Sequence, residues 1–438
     1  MPLMVEQVLA LAPDESAAKA GRGLAATKHW RELGQSAEAM WGLCQGSALY
    51  QVQVELTTLA YKCSCPSHKL PCKHVLGLLL LAAADAAVMP QGAPPEWAHE
   101  WLQKRAAAAQ RQTHATWQEA PPDPAAQSKR AERRTAQVTA GIAGLNLWLE
   151  DVVRNGLAQV ETQPGSFWEG QAARLMDAQA PGLASRVRRL ATIPNSGPNW
   201  PERLLDEMGR LALLTHAFGR MDELEPALRE DVRQLVGWSL SQEEVVARGE
   251  TVADDWLIVG QWLEDEDPRM RTQRTWLLGE RTGRHALVLQ FSPRPLLPPF
   301  PEPILPGVRF TGKLAFWPSA YPQRARITAR QTAPAPLGGR LPGAETLAAA
   351  LAGVTHALAR QPWMDRFLIA LRDVRVARDE SGGWRAQDAA GAALSLAGGE
   401  HWLLLAVSGG APCWLAGEWD GHALRPLGVE MGGRYHAL

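Results

Sequence analysis

The spacing of apolar residues changes from strand-like to helix-like within the first part of the chain. The segment Tyr50–Leu56 alternates strictly between apolar and polar side chains, which predicts a half-buried strand. A second short strand is predicted over Leu59–Lys62. The unbroken apolar run Val75–Ala82 predicts a buried helix. The local order is therefore β-β-α.

From about residue 134 the apolar positions recur every three or four residues. Such spacing gives one apolar stripe along a helix, here Val138, Ile142, Leu145, Leu149 and Val152. A second helix is predicted to begin near Pro201, because proline is favoured in the first helical turn. A third is predicted from Pro226 to about Trp238. Residues 134–250 are therefore predicted to form a helical domain.

After Asp254 the period of two returns, interrupted by one helix predicted over Glu345–Arg360. The pattern predicts strands over Trp256–Leu263, Gln273–Gly279, His285–Phe291, Gly312–Trp317, Ala325–Thr328, Trp402–Ser408 and Cys413–Trp419. Residues 251–438 are therefore predicted to form a mixed, mostly β domain.

These patterns predict an α+β protein with an N-terminal β-β-α unit, a central helical region and a C-terminal mostly β region. The N-terminal domain is predicted to cover residues 1–102, with the β-β-α unit at about 50–85. Residues 103–133 are rich in Ala, Pro and Gln and are predicted to be a linker.

Composition narrows the classes of partner. The net charge of −1 over 438 residues gives no global field towards nucleic acid or an acidic membrane. The chain has 18 Trp against 7 Phe and 4 Tyr. Tryptophan is therefore the main aromatic core-former, or else it lines a binding surface, since its ring is apolar and its N–H is polar.

The N-terminus carries no pattern typical of a signal peptide, and the longest apolar run, Val75–Val88, is too short to span a bilayer. We therefore expect a soluble protein in the cytoplasm, with no membrane partner. In that reducing compartment a cysteine cluster predicts a metal site rather than a disulfide framework.

Such a cluster follows the predicted strands. Cys63, Cys65, Cys72 and His74 form the pattern C-x-C-x6-C-x-H. Three thiolates and an imidazole within twelve residues match what a tetrahedral zinc ion requires. We predict that they bind one zinc ion, and nearby Lys62, Lys69 and Lys73 offset the negative charge of the thiolates.

Other residues near the pattern leave alternatives open. His68 is a candidate to replace one ligand, although we expect it to be solvated in the loop. Cys44 is a candidate fifth ligand or redox partner, although a small buried side chain is favoured. Cys413 falls in a strand pattern and is expected in a core. A cluster of reduced cysteines without metal is the alternative for the whole site.

Four protein ligands leave no open position for water or substrate, which indicates a structural rather than a catalytic zinc ion. The sequence also has no P-loop, nucleophile elbow or H-E-x-x-H motif. We therefore expect a binding protein and not an enzyme. An enzyme with an unrecognised site in the C-terminal β region is the third hypothesis. The acidic clusters Asp254–Asp255 and Glu264–Asp267 are interpreted as solvated turns.

The ligand pattern, together with the sequence Cys-Pro-Ser after the first pair and Lys-His-Val-Leu-Gly-Leu after the second, resembles bacterial SWIM zinc fingers. The resemblance implies that Cys63, Cys65, Cys72 and His74 are the zinc ligands. It also implies a β-β-α finger from about Tyr50 to Leu81. Fingers of this family serve as protein-interaction or nucleic-acid-binding modules.

The neutral net charge favours a protein partner over DNA or RNA. Nucleic-acid binding is the alternative, through the finger and the basic runs Lys129–Arg134 and Arg186–Arg189. Glu132 interrupts the first run, and solvated helix surfaces are the simpler interpretation of both.

Overall fold

The N-terminal part of the protein is a small antiparallel sheet covered by helices. A computed structural model describes residues 4–46, 48–67, 69–114, 124–197, 199–264, 270–293, 300, 303–380 and 382–438. The finger sheet has the order β1-β2-β3-β4, and its strands are β1 Trp30–Gln35, β2 Ala39–Gln45, β3 Leu49–Glu55 and β4 Tyr61–Cys63. Helices α1 Val5–Ala10 and α2 Glu15–Gly23 precede the sheet, and α3 Lys73–Ala84 follows it. The predicted β-β-α unit is present, with two further strands before it.

The central region is helical. Its helices are α4 Glu96–His114, α5 Pro124–Asn155, α6 Gly165–Asp177, α7 Pro181–Leu190, α8 Trp200–Gly219, α9 Pro226–Val236 and α10 Gln242–Arg248. The predicted stripe on α5 is buried in one core with α6 to α9. Helices α4 and α5 cover residues 103–114 and 124–133 of the range predicted to be a linker. Residues 115–123 of that range lie outside the described residues.

Two six-stranded sheets follow. The middle sheet contains β5 Thr251–Glu264, β6 Met270–Gly279, β7 His285–Pro293, β8 Val308–Phe316, β9 Ala325–Arg330 and β10 Ala335–Pro336. The C-terminal sheet contains β11 Phe367–Arg378, β12 Trp384–Gln387, β13 Ala393–Ser395, β14 Cys413–Trp419, β15 Leu424–Met431 and β16 Arg434–Ala437, in the order β13-β12-β11-β14-β15-β16. Helix α11 Leu347–Arg360 precedes the C-terminal sheet, and helix α12 Trp402–Ser408 lies between β13 and β14.

The strand predicted over Trp402–Ser408 is wrong, because these residues form α12. A short apolar run does not distinguish a strand from a buried helix by its period. The glycine that follows does carry a signal. Gly409 has a φ of 59° and ends the helix in the left-handed conformation, a position that favours glycine.

The middle sheet is buried on both faces. Trp256 and Ile258 point into one core with Leu76 and Leu79 of α3. Their neighbours Leu257 and Val259 point into a second core, which the C-terminal sheet completes. A strand covered on both sides needs apolar residues at every position, which explains the unbroken run Trp256–Val259. The finger and the middle sheet therefore share one hydrophobic core.

Tryptophan serves mainly as a core residue. Within the described residues nine tryptophans are buried: Trp30, Trp41, Trp168, Trp256, Trp276, Trp363, Trp384, Trp414 and Trp419. Trp402 is a clear exception, with 53% of its surface exposed. None of the helices in the described ranges combines the length and apolar content needed to cross a bilayer.

Two glycines allow α2 and α3 to approach closely. A methyl carbon added at Gly77 would lie 2.7 Å from Cβ of Leu24, and one at Gly21 would lie 2.8 Å from Cβ of Leu76. Both distances are shorter than any carbon–carbon contact allows, so the helix crossing depends on the absence of these side chains.

We therefore expect the substitution Gly77→Val to destabilise the finger by about 1–3 kcal/mol, the usual cost of overfilling a packed site. Thermal unfolding should show a lower melting temperature. Gly144→Val is the matched control, because Gly144 lies in a helix with open space around it. Equal melting temperatures for the two variants would contradict the close helix crossing.

Candidate metal centre

The two ligand pairs lie on neighbouring elements. Cys63 is the last residue of β4, where it pairs with Val52 of β3. Hydrogen bonds between Ser64 and Gln51 extend the pairing one residue further and fix the direction of the chain towards Cys65. Cys72 is the N-cap residue of α3, and His74 lies in its first turn. The strand end and the helix start therefore face each other across one loop.

The four side chains converge on one point. Their ligand atoms all lie within 4.8 Å of one another. His74 Nδ1 is 3.8 Å from the Cys63 sulfur and 3.9 Å from the Cys72 sulfur. Around a tetrahedral zinc ion with ordinary bond lengths, such pairs are separated by about 3.5–3.8 Å. The four residues are therefore positioned to bind one zinc ion, with His74 Nδ1 facing it.

The close approach of the thiols shifts the pKa values of Cys63 and Cys72 in opposite directions. The hydrogen bond from the Cys63 thiol lowers the pKa of Cys72, and His74 lowers it further. The same bond raises the pKa of Cys63, whose proton it holds. A zinc ion would replace these protons and hold all three sulfurs as thiolates. No side chain beyond the four is needed to complete the coordination.

The surroundings fix the orientation of the histidine ring. His74 is buried, with 4% of its surface exposed. The Tyr50 ring packs against it with a centroid distance of 4.8 Å. Gly46 lies on the same side, where a methyl carbon would be 3.0 Å from Tyr50 and 3.6 Å from His74 Nε2. This packing holds Nδ1 towards the three sulfurs.

An ion pair fastens the loop between the ligand pairs to α2. Lys69 Nζ lies 2.7 Å from Asp14 Oδ2, and Asp14 also caps α2 by accepting a hydrogen bond from Ala17 N–H. Asp14 was not predicted from the sequence, although an aspartate just before a helix is a typical N-cap. Lys62 and Lys73 are exposed near the site. Lys69 is therefore engaged by a carboxylate as well as lying near the thiolates.

The remaining cysteines are core residues. Cys44 is fully buried in β2, and burial raises the pKa of its thiol to about 11. It lies outside the group of converging ligand atoms. Cys413 is buried in β14, where burial also raises its pKa to about 11. His68, the alternative ligand, lies outside the described residues.

The interpretation of Asp254–Asp255 as a solvated turn is wrong, because both residues lie in β5 and Asp254 is fully buried. The buried Asp254 carboxylate accepts hydrogen bonds from Thr282 Oγ1, Thr282 N–H and Arg281 N–H, and so holds the turn between β6 and β7. Within the described part of the chain, the finger residues form the one group of three or more His, Cys, Asp or Glu side chains placed to share an ion. Residues 265–267 of the second acidic cluster lie outside the described residues.

The basic runs differ in how far their charges are compensated. In the second run, Arg188 pairs with Glu169 and Arg189 pairs with Asp365, each at 2.7 Å. In the first run, Arg134 donates to the Gly237 carbonyl and lies over the Trp238 ring. Lys129, Arg130 and Arg133 are exposed on α5.

The comparisons with known proteins identify two modules. Residues 50–83 match the family model of the SWIM zinc finger. Residues 133–236 match that of the SWIM-associated four-helix bundle domain. No curated protein and no solved structure matches the chain significantly. The chain thus carries a SWIM zinc finger, whose matched range contains the four converging residues, and a helical domain that accompanies it.

Proposed function

We propose that this protein binds another protein, and that its SWIM zinc finger is a rigid scaffold for that binding rather than a catalytic centre. The burial of α3 carries the proposal. Nine consecutive residues of this helix, from His74 to Ala82, are buried. A helix enclosed on all sides has no face to insert into a DNA groove, which is how many fingers recognise bases.

The charge distribution supports the same choice. Nucleic-acid binding depends on cationic side chains that contact phosphates. A lysine or arginine that already pairs with a carboxylate contributes less to this affinity. Ion pairs with carboxylates engage Lys69, Arg188 and Arg189. The exposed group Lys129, Arg130 and Arg133 lies on α5, in the helical domain rather than in the finger. We also expect the protein to act in the cytoplasm, where thiols stay reduced and available to bind zinc.

One experiment separates the proposal from its alternative. The full chain with zinc is titrated with fluorescent mixed-sequence duplex DNA and with single-stranded RNA at a low salt concentration of about 50 mM, where phosphate contacts are strongest. We expect no measurable affinity for either. Salt-dependent binding that a Lys129→Glu/Arg133→Glu variant loses would establish the nucleic-acid alternative instead.

The positive arm is affinity capture from the native host. The wild-type chain is compared with Cys72→Ala, which breaks the metal site, and with Cys413→Ala, which removes a buried cysteine elsewhere. We expect proteins that wild type and Cys413→Ala retain and that Cys72→Ala loses. If no protein distinguishes the wild-type chain from an empty matrix, the proposal fails.

A further inference from the structure

A cleft of about 830 Å³ lies between the finger and the two sheets. One wall is the metal-site loop, through Lys69, Leu70 and Pro71. A second wall is β16, the last strand of the C-terminal sheet. The floor is formed by β5 and β6 of the middle sheet. The finger, whose metal ligands flank the loop, therefore shapes one side of this cleft.

The floor combines apolar and hydrogen-bonding side chains. Leu263 of β5 and Gln273 of β6 are cross-strand partners on the sheet face that forms the floor. Gln273 donates to Gln290 Oε1 at 2.7 Å. Three leucines that line the cleft are unusually exposed, Leu70 at 41%, Leu263 at 45% and Leu403 at 60%. Exposed apolar side chains gathered at one opening indicate a binding surface.

The strand β16 presents its edge, rather than a face, to the cleft. All four of its residues, Arg434 to Ala437, line the cavity. Side chains alternate between the two faces of a strand, so contact with four consecutive residues places the cavity along the edge. Within the described part of the chain, β16 has a strand partner on one side only, which is β15.

The pairing with β15 shows which backbone groups face the cleft. Leu438 N–H donates to the Leu427 carbonyl, and His436 is paired with Val429 two positions earlier. Inward and outward groups alternate along an antiparallel strand. The N–H and C=O groups of Tyr435 and Ala437 therefore point outward. Such an edge is a template for another strand.

The charge of the lining side chains indicates the charge of the segment that the cleft binds. No Asp or Glu is among the described lining residues of the cleft, and Arg434 is the cation on β16 itself. Lys69 also lines the cleft but already pairs with Asp14. Arg434, the first residue of β16, is exposed. An acidic segment would complement Arg434, and its approach would be favoured over that of a basic one.

We propose that this cleft binds an extended, acidic and apolar segment of a partner protein, which adds to β16 as a further strand. This inference rests on the proposed function and specifies the kind of partner. The outward groups of Tyr435 and Ala437 bond to the backbone of the segment, its apolar side chains contact the three exposed leucines, and its carboxylates face Arg434. The metal-site loop forms one wall, so binding depends on zinc.

The test begins with a phage-displayed library of random decapeptides, panned against the full chain with zinc. We expect enrichment of peptides that combine Asp or Glu with apolar residues. The best peptide is then synthesised with and without N-methyl groups on alternate amides. In an added strand, only every second amide N–H of the peptide points towards β16. Methylation of that set should weaken binding about tenfold or more, because backbone hydrogen bonds are lost while the side chains stay. Methylation of the other set should not.

Variants of β16 give the matched comparison. Ala437→Pro removes an outward N–H without touching the pairing with β15, and proline is tolerated on edge strands. It should weaken the selected peptide about fivefold, the effect of one hydrogen bond. Ala437→Val keeps the N–H and should bind normally. Arg434→Glu should weaken binding, whereas Lys104→Glu on α4 should not. Melting temperatures verify that each variant is folded.

Several outcomes overturn the inference. A library without enriched peptides, or peptides that bind Ala437→Pro as tightly as Ala437→Val, excludes strand addition at β16. A zinc-loaded chain that dimerises through β16, with dimers lost in Ala437→Pro, makes a second copy the occupant instead. If host proteins are captured equally by wild type and Ala437→Pro while peptides fail, the cleft proposal fails and the proposed function stands.

Discussion

Replacing Cys72 with alanine is expected to abolish stable zinc binding and to unfold the finger. The substitution removes one of the four ligands, at the start of α3. Structural zinc sites contribute about 10–16 kcal/mol to folding of small zinc modules at neutral pH. Helix α3 shares its core with the middle sheet, so the loss should extend beyond the finger. The melting temperature should fall, and dye binding should report exposed apolar surface.

Cys413→Ala is the control for this prediction. It also truncates a buried cysteine, but in β14, outside the group of converging ligands. It should keep one zinc ion per chain and lose only about 1 kcal/mol of stability, as a small cavity costs. Wild-type melting behaviour in Cys72→Ala would contradict a structural role for the metal.

Glu418→Ala is expected to cause the second largest loss of stability. Glu418 is 3% exposed between the middle and C-terminal sheets. Its carboxylate accepts a hydrogen bond from Trp276 Nε1 at 2.7 Å and pairs with Arg274 at 3.1 Å and Arg366 at 3.3 Å. Removing it leaves the Trp276 indole N–H without its acceptor and reduces the two arginines to longer contacts, Arg274 with Glu264 at 3.6 Å and Arg366 with Asp420 at 3.9 Å. Breaking such a buried pair costs about 3–5 kcal/mol, and the partial exposure of Arg366 favours the lower end.

Chemical denaturation of Glu418→Ala beside Glu150→Ala measures this effect. Glu150 pairs with Arg154 at 2.9 Å on α5, with 55% of its side chain exposed. An exposed pair contributes at most about 1 kcal/mol. Similar denaturation midpoints for the two variants would show that Glu418 does not join the sheets.

The sequence was most informative where chemistry fixed the spacing. Two close pairs of ligands and a six-residue loop predicted a single metal-binding cluster before any contact was known, and the four side chains do converge. The helix after them was predicted because its apolar run is unbroken, and α3 is indeed buried along nine residues. Both features are local, so a local pattern was sufficient to find them.

The long-range features were not accessible in this way. The run Trp256–Val259 indicated a strand, and its lack of alternation indicated burial on both faces. The apolar residues do not show which parts of the chain pack against each face. The pairing of Lys69 with Asp14 joins residues 55 positions apart. The cleft along β16 depends on how three separate parts of the chain meet. Such arrangements follow from tertiary packing, which periodicity does not encode.

Zinc-edge X-ray absorption on the purified full chain tests the central claim most directly. Four protein ligands and no water predict three sulfur atoms at about 2.3 Å and one nitrogen atom at about 2.0 Å from the metal. That result would establish Cys63, Cys65, Cys72 and His74 as a closed, structural site. A spectrum with an oxygen ligand, or with fewer than three sulfur atoms, would contradict it.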